Sequence, residues 1–88
     1  MKIEGVEYAV KFVRNFKKLP IFIQKQALEK EEIFKKNAFD NKLKTHKLTG
    51  KLSNFYSFSV NYSYRIIFVF EKDNEVTFVD IGDHSIYK

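Results

Sequence analysis

The sequence predicts an α+β domain, with an antiparallel sheet of about four strands packed against an N-terminal helical hairpin. Three observations carry this reading. Residues 9–36 place apolar side chains at helical spacing, and residues 57–81 alternate them at strand spacing. The two kinds of segment are segregated, which favours an antiparallel sheet over the parallel sheet of alternating βαβ units. Eighty-eight residues leave room for one core, so residues 1–88 read as a single domain.

Each element follows in order. Val6 to Tyr8 ends a short first strand that starts near Lys2, with Gly5 weakening it. Ala9, Phe12, Val13, Phe16 and Leu19 then recur at helical spacing, with Lys11, Arg14, Lys17 and Lys18 on the other side. Pro20 stops that helix and suits the first turn of a second, which runs to Lys36. Ile23, Ala27, Leu28 and Phe34 supply its buried side. Glu31 with Lys35, and Glu32 with Lys36, are spaced for surface pairs worth roughly a few tenths of a kcal/mol each.

The stretch "NAFDNKLKTHKLTG" has turn residues and no sustained period, so it reads as a connection. Beyond it, Phe58, Val60 and Tyr62 alternate with Ser57, Ser59 and Asn61. Tyr64, Ile66, Phe68 and Phe70 then oppose Arg65, Ile67 and Val69. "EKDNE" is a hairpin turn. In the last strand Val76 and Phe78 face one way, and Thr77, Val79 and Ile81 the other, with Gly82 ending it. The strand carrying Arg65 is otherwise apolar on both faces and is expected at the centre of the sheet. A guanidinium there is costly unless it is paired or faces a groove.

Composition narrows the function. Apolar residues make up 44% of the chain and ten residues are Phe, enough for a core without staples. The absence of cysteine excludes disulfides and thiolate chemistry and fits a reducing cytoplasm. "MKIEGVEY" is too charged for a signal peptide, and no run approaches the roughly 18 apolar residues of a membrane span. The expectation is a cytoplasmic protein with no membrane partner. The net charge of +5 is unevenly placed: between Asn41 and Phe70 stand Lys42, Lys44, Lys47, Lys51 and Arg65, without one Asp or Glu. This is either a solvated lysine face or a footprint for an anion or nucleic acid.

No metal-ligand spacing, phosphate-binding glycine loop or nucleophile elbow is present, so neither a metal nor a small-molecule cofactor is expected. What remains is a set of cations and proton carriers: His46, Lys51, Arg65, His84 and Tyr87. Brought together, such a set suits metal-free RNA cleavage. The histidines would carry protons, Arg65 would take a phosphate bidentately, and Tyr87 would donate a hydrogen bond or stack on a base. Each has a plainer alternative. A histidine can be a structural or surface residue, Arg65 can pair with Asp80 or Asp83, and Tyr87 can be packing. Lys42 and Lys44 can be surface charge, and the phenylalanines are expected in the core, with Phe55 and Tyr56 ambiguous.

The stretch "LKTHKLTGKLSNFYSFSVNYSYRIIFVF" followed by "VTFVDIGDHSIYK" resembles the RelE/ParE superfamily of bacterial toxins, and more closely its RelE-like mRNA interferases. The preceding "FVRNFKKLPIFIQKQALEK" is similar to that family's helical hairpin. The resemblance implies a toxin of a type II toxin–antitoxin system, neutralised by a cognate acidic antitoxin that is partly disordered when free. It further implies a metal-independent endoribonuclease that cuts mRNA on the ribosome, with message and ribosomal RNA as partners. Residue by residue, it implies catalytic roles for His46, Arg65, His84 and Tyr87, and RNA contacts for Lys44, Lys47 and Lys51. No carboxylate stands at the His46 position, so a His/His pair replaces the Glu/His arrangement of some relatives. A ParE-type inhibitor of DNA gyrase, or a degenerate homologue that only binds antitoxin, stays open at this point.

Overall fold

The computed structural model describes residues 1–83 and 86. In chain order these form β1 (Gly5–Tyr8), α1 (Val10–Lys17), α2 (Ile21–Lys36), β2 (His46–Lys47), β3 (Tyr56–Ser59), β4 (Arg65–Phe70) and β5 (Glu75–Gly82). One sheet holds all the strands in the order β1-β5-β4-β3-β2, so the Arg65 strand is central, as its two apolar faces require. The α+β class holds, with two corrections: the sheet has five strands and it is mixed. β1 lies parallel to β5, with Val6 opposite Val76 and Tyr8 opposite Phe78. Parallel neighbours need a long crossover, and both helices lie in the chain between these two strands. The added strand, β2, is only His46–Lys47 on the edge beside β3. Two residues are too few for an alternation that sequence could reveal.

The two consecutive helices are those expected. α1 rests on β5. An apolar groove of about 270 Å³ lies between α1 and α2, with Ile66 and Phe78 at its base. Phe12, Ile23, Ala27 and Phe34 are buried as expected, whereas Leu28 is 53% exposed at the groove's rim. Glu31 is buried too, because the Tyr8 hydroxyl donates to its Oε2. Lys35, rather than Lys36, takes Glu32, at 3.5 Å.

The core is an aromatic cluster. Phe34 of α2 sits against Phe58, Phe68 and Phe78 of three strands, with ring centroids 4.7, 4.9 and 5.5 Å away. All four rings are fully buried, and each such pair adds about 0.5–1.5 kcal/mol beyond the area it removes from water. Not every phenylalanine joins them: Phe22 and Phe39 are exposed. A β-bulge shapes the other end of the sheet. Ile67 pairs with Asp80 and the next residue, Phe68, pairs with Phe78, leaving Val79 over. The extra residue turns Ile81 round, so it packs in the same core as Val76 and Phe78 rather than on the opposite face.

Two turns set the strand ends. In "EKDNE", Asp73 and Asn74 adopt left-handed φ values of 59° and 61°, which these residue types tolerate. Between β3 and β4, Asn61 Oδ1 accepts from the Ser63 and Tyr64 backbone N–H groups at 2.9 and 2.8 Å. That capture ends β3 at Ser59, so Tyr62 stands at a turn tip rather than in a strand.

Candidate nucleic-acid interface

The pairing register places His46 and Arg65. Directly opposed residues share a face of the sheet, and so do residues two apart along one strand. His46 lies opposite Ser57, and Ser59 lies opposite Arg65. Arg65 in turn lies opposite Gly82. His46, Ser57, Ser59, Arg65 and Gly82 therefore share one face, and Phe58, Ile66 and Phe68 occupy the other. With strands about 4.8 Å apart and a rise of about 3.4 Å per residue, the His46 and Arg65 backbones are about 12 Å apart. Their side chains can flank one phosphodiester from opposite sides.

Arg65 is half-buried, and its Nη1–H donates to Ser59 Oγ. The alternative partner Asp80 is engaged elsewhere. It accepts from Asn15 Nδ2 at 2.7 Å and lies 3.4 Å from Lys11 Nζ. His46 is exposed, and its Nδ1 lies 3.0 Å from the Lys44 carbonyl oxygen. A carbonyl has no proton to give, so Nδ1 carries the hydrogen and the neutral ring keeps its lone pair on Nε2. That is the tautomer a base on this face requires.

Beside Arg65, at the β3–β4 end of the sheet, is a groove of about 310 Å³ lined by Lys30, Lys42, Lys44, Ser59, Asn61, Tyr62 and Arg65. Four of the seven are cations and none is a carboxylate. Lys44 is held in the left-handed conformation at the end of a 3-10 turn (Asn41–Leu43), which Asp40 caps at the Lys42 N–H and fully buried Leu43 anchors. Lys30 reaches in from α2 and donates to the Val60 carbonyl at 3.2 Å.

The other candidates are placed differently. Lys47 lies opposite Tyr56, which pairs with Phe68, and so belongs to the opposite face. Lys51 sits in the turn Gly50–Leu52, where Gly50 takes a φ of 68°. That turn is at the far end of the β2–β3 hairpin from Ser59, on the order of 17 Å away. Neither lysine lines the groove. His84 and Tyr87 lie outside the described residues. Between them, Ile86 donates its N–H to the Asp83 carbonyl at 3.1 Å. A Cβ on Gly82 would collide with Ile86 Cγ2. Since Gly82 opposes Arg65, Ile86 sits on the Arg65 face.

Sequence reading passed over Lys30 and set Lys42 aside as surface charge. A signal for Lys30 existed: it stands three residues after Ala27 and four before Phe34, at the margin of the helix's buried face. Lys42 carried no comparable signal, because an irregular loop has no period. Among the described residues no three His, Asp or Glu side chains gather as a metal site would need, and no helix is long and apolar enough to cross a membrane.

The apolar groove has its own chemistry. It is lined by Tyr8, Phe12, Val13, Phe16 and Leu28, with Lys17 at its edge. Burial first, then the hydrogen bond to Glu31 and the charges of Glu31 and Glu32, hold the Tyr8 phenol well above its ordinary range.

Neither a protein-family model nor a curated protein sequence matches this chain. Solved structures do match. A YoeB/ParE toxin from Agrobacterium tumefaciens superposes with a TM-score of 0.76 at 11% identity, covering 96% of this chain and 99% of that one. The archaeal RelE–RelB complex from Pyrococcus horikoshii gives 0.74 at 21% identity, over 94% and 96%. The YoeB–YefM complex from Staphylococcus aureus gives 0.74 at 18%, over 96% and 99%. The chain therefore has the fold of the RelE/ParE-type toxins along nearly its whole length.

Proposed function

We propose that this chain is the toxin of a type II toxin–antitoxin pair and cleaves messenger RNA on the ribosome without a metal. One observation carries the reading: the sheet register sets His46 and Arg65 on one face, beside a groove with four cations and no carboxylate. His46 Nε2 takes the proton of a ribose 2′-OH, and that oxygen attacks the adjacent phosphorus. The bond from phosphorus to the 5′-oxygen breaks, leaving a 2′,3′-cyclic phosphate and a 5′-hydroxyl. Arg65 holds the charge that builds on the non-bridging oxygens. His84 gives the departing oxygen its proton, and Tyr87 closes the site over the base. The atoms balance with no oxidant, reductant or water consumed. Lys44 and its neighbours attract the message, with Lys47 and Lys51 adding diffuse attraction to ribosomal RNA.

The partner is an antitoxin. The matching structures include toxin–antitoxin complexes. The groove between α1 and α2, lined by apolar side chains with Lys17 and Glu31 among them, offers this chain a seat for an amphipathic segment.

A reconstituted translation reaction tests the function. Wild-type protein is expected to cut message at defined codon positions, and His46→Ala, Arg65→Ala and His84→Ala to lose about 100-fold or more. Intact message together with trapped gyrase–DNA complexes overturns the nuclease in favour of gyrase inhibition.

A further inference from the structure

The cationic groove extends past Arg65 to an aromatic ring that the fold does not use. Tyr62 is 94% exposed, and among the described residues no ring packs against it. A large ring left in water contributes nothing to folding, and its removal from water would be favourable. The exposure is built in. Asn61 ties the turn through the Ser63 and Tyr64 N–H groups, Val60 N–H donates to the Tyr64 carbonyl at 2.8 Å, and Asn61 Nδ2 donates to Gln26 of α2 at 2.7 Å. The ring is therefore presented from a backbone tip that these bonds hold in place. Next to it stand Lys30, Lys42 and Lys44. Lys30 spends one of its three N–H groups on the Val60 carbonyl, which aims the ammonium and leaves two donors. Cations that follow a backbone, beside an exposed ring, form the combination that holds single-stranded nucleic acid.

We infer that this groove is a second nucleotide subsite beside the scissile phosphate. Lys30, Lys42 and Lys44 hold the neighbouring phosphate, and Tyr62 stacks on the base attached to it. The inference rests on the RNA-cleaving reading and gives it a substrate length: the site grips at least one nucleotide beyond the bond it cuts. Because stacking accepts any base, Tyr62 raises affinity more than sequence preference.

Binding of a fluorescein-labelled single-stranded RNA octamer, made uncleavable by 2′-O-methylation, is measured by anisotropy at low salt. Tyr62→Ala is expected to bind about 5- to 150-fold more weakly, the equivalent of about 1–3 kcal/mol of stacking. Tyr62→Phe is expected to bind as wild type, because the ring rather than the hydroxyl makes the contact. Lys42→Ala is expected to flatten the slope of log affinity against log salt by about 0.7, one phosphate contact on a single strand. The subsite is overturned if Tyr62→Ala binds as wild type, or if Tyr62→Phe loses as much as Tyr62→Ala. In either case, RNA still held through Arg65 leaves the cleavage reading standing. No RNA binding by the wild type overturns the subsite, while cleavage in the reconstituted translation reaction decides the nuclease reading separately.

Discussion

The two faces of the central sheet are built from adjacent residues and do opposite work. Along β4, Ile66 and Phe68 enter the core around Phe34, while Arg65 looks out beside Ser59. The core face is dry and aromatic, and its rings hold one another in place. The outer face carries a guanidinium, an exposed imidazole and buried serine hydroxyls, with buried Ile67 opposite Ser57. A side-chain period of two puts the core and the cationic face within one residue of each other, so one strand can anchor the fold and position the cation. It follows that substitutions on the two faces should separate cleanly into loss of folding and loss of activity.

The largest effect is expected on the core face. Phe34→Ala removes the ring shared by three strands and should cost about 3–5 kcal/mol, read from urea unfolding. On the other face, His46→Ala should lower the rate of message cleavage by about 100-fold or more. Its unfolding midpoint should move by no more than about 0.5 kcal/mol, because the residue is exposed. A His46 variant that unfolds as readily as Phe34→Ala would erase the distinction.

Tyr8 tests the border between the two. Tyr8→Phe leaves buried Glu31 without the hydroxyl that donates to it, a loss of about 1–3 kcal/mol. The sign of its pH dependence follows from the raised phenol. The contribution is full below the unfolded tyrosine value of about 10 and is lost as pH rises from there through the folded value. Unfolding titrations of wild type and Tyr8→Phe should therefore converge only in strong alkali. The smallest effect belongs to Lys51, in the turn at the far end of the hairpin. Lys51→Ala should keep cleavage within about twofold of wild type, as an exposed residue outside the groove would. A tenfold loss would move the site toward that turn.

The difference between the faces also explains what could be read from the chain alone. Periodicity revealed both helices, the central place of β4 and most of the core, because burial repeats with the backbone. It could not reveal the parallel β1–β5 pairing, since nothing in "GVEY" records which edge it will join. It misplaced Ile81 because a bulge inserts one residue without changing composition. At the site, Arg65 announced itself as a charge in an apolar strand and His46 as a candidate proton carrier, whereas the RNA-contact role of Lys44 came from the family likeness. Lys30 arrived from another element altogether, and Lys47 was sent to the opposite face by a two-residue strand too short to show a pattern. Whether a cation belongs to a site depends on register and side-chain reach, and neither is a local property.

The pairing of β1 with β5 has a consequence in time. Gly5 must wait for Glu75, its partner in the parallel ladder, some 70 positions later. Closing so long a loop costs entropy before any contact returns it, and such non-local pairing slows folding. During synthesis β5 is the last strand made, and it lies between β1 and β4, so the emerging chain has nothing to join its two halves. Until β5 is made, the sheet stays open between β1 and β4.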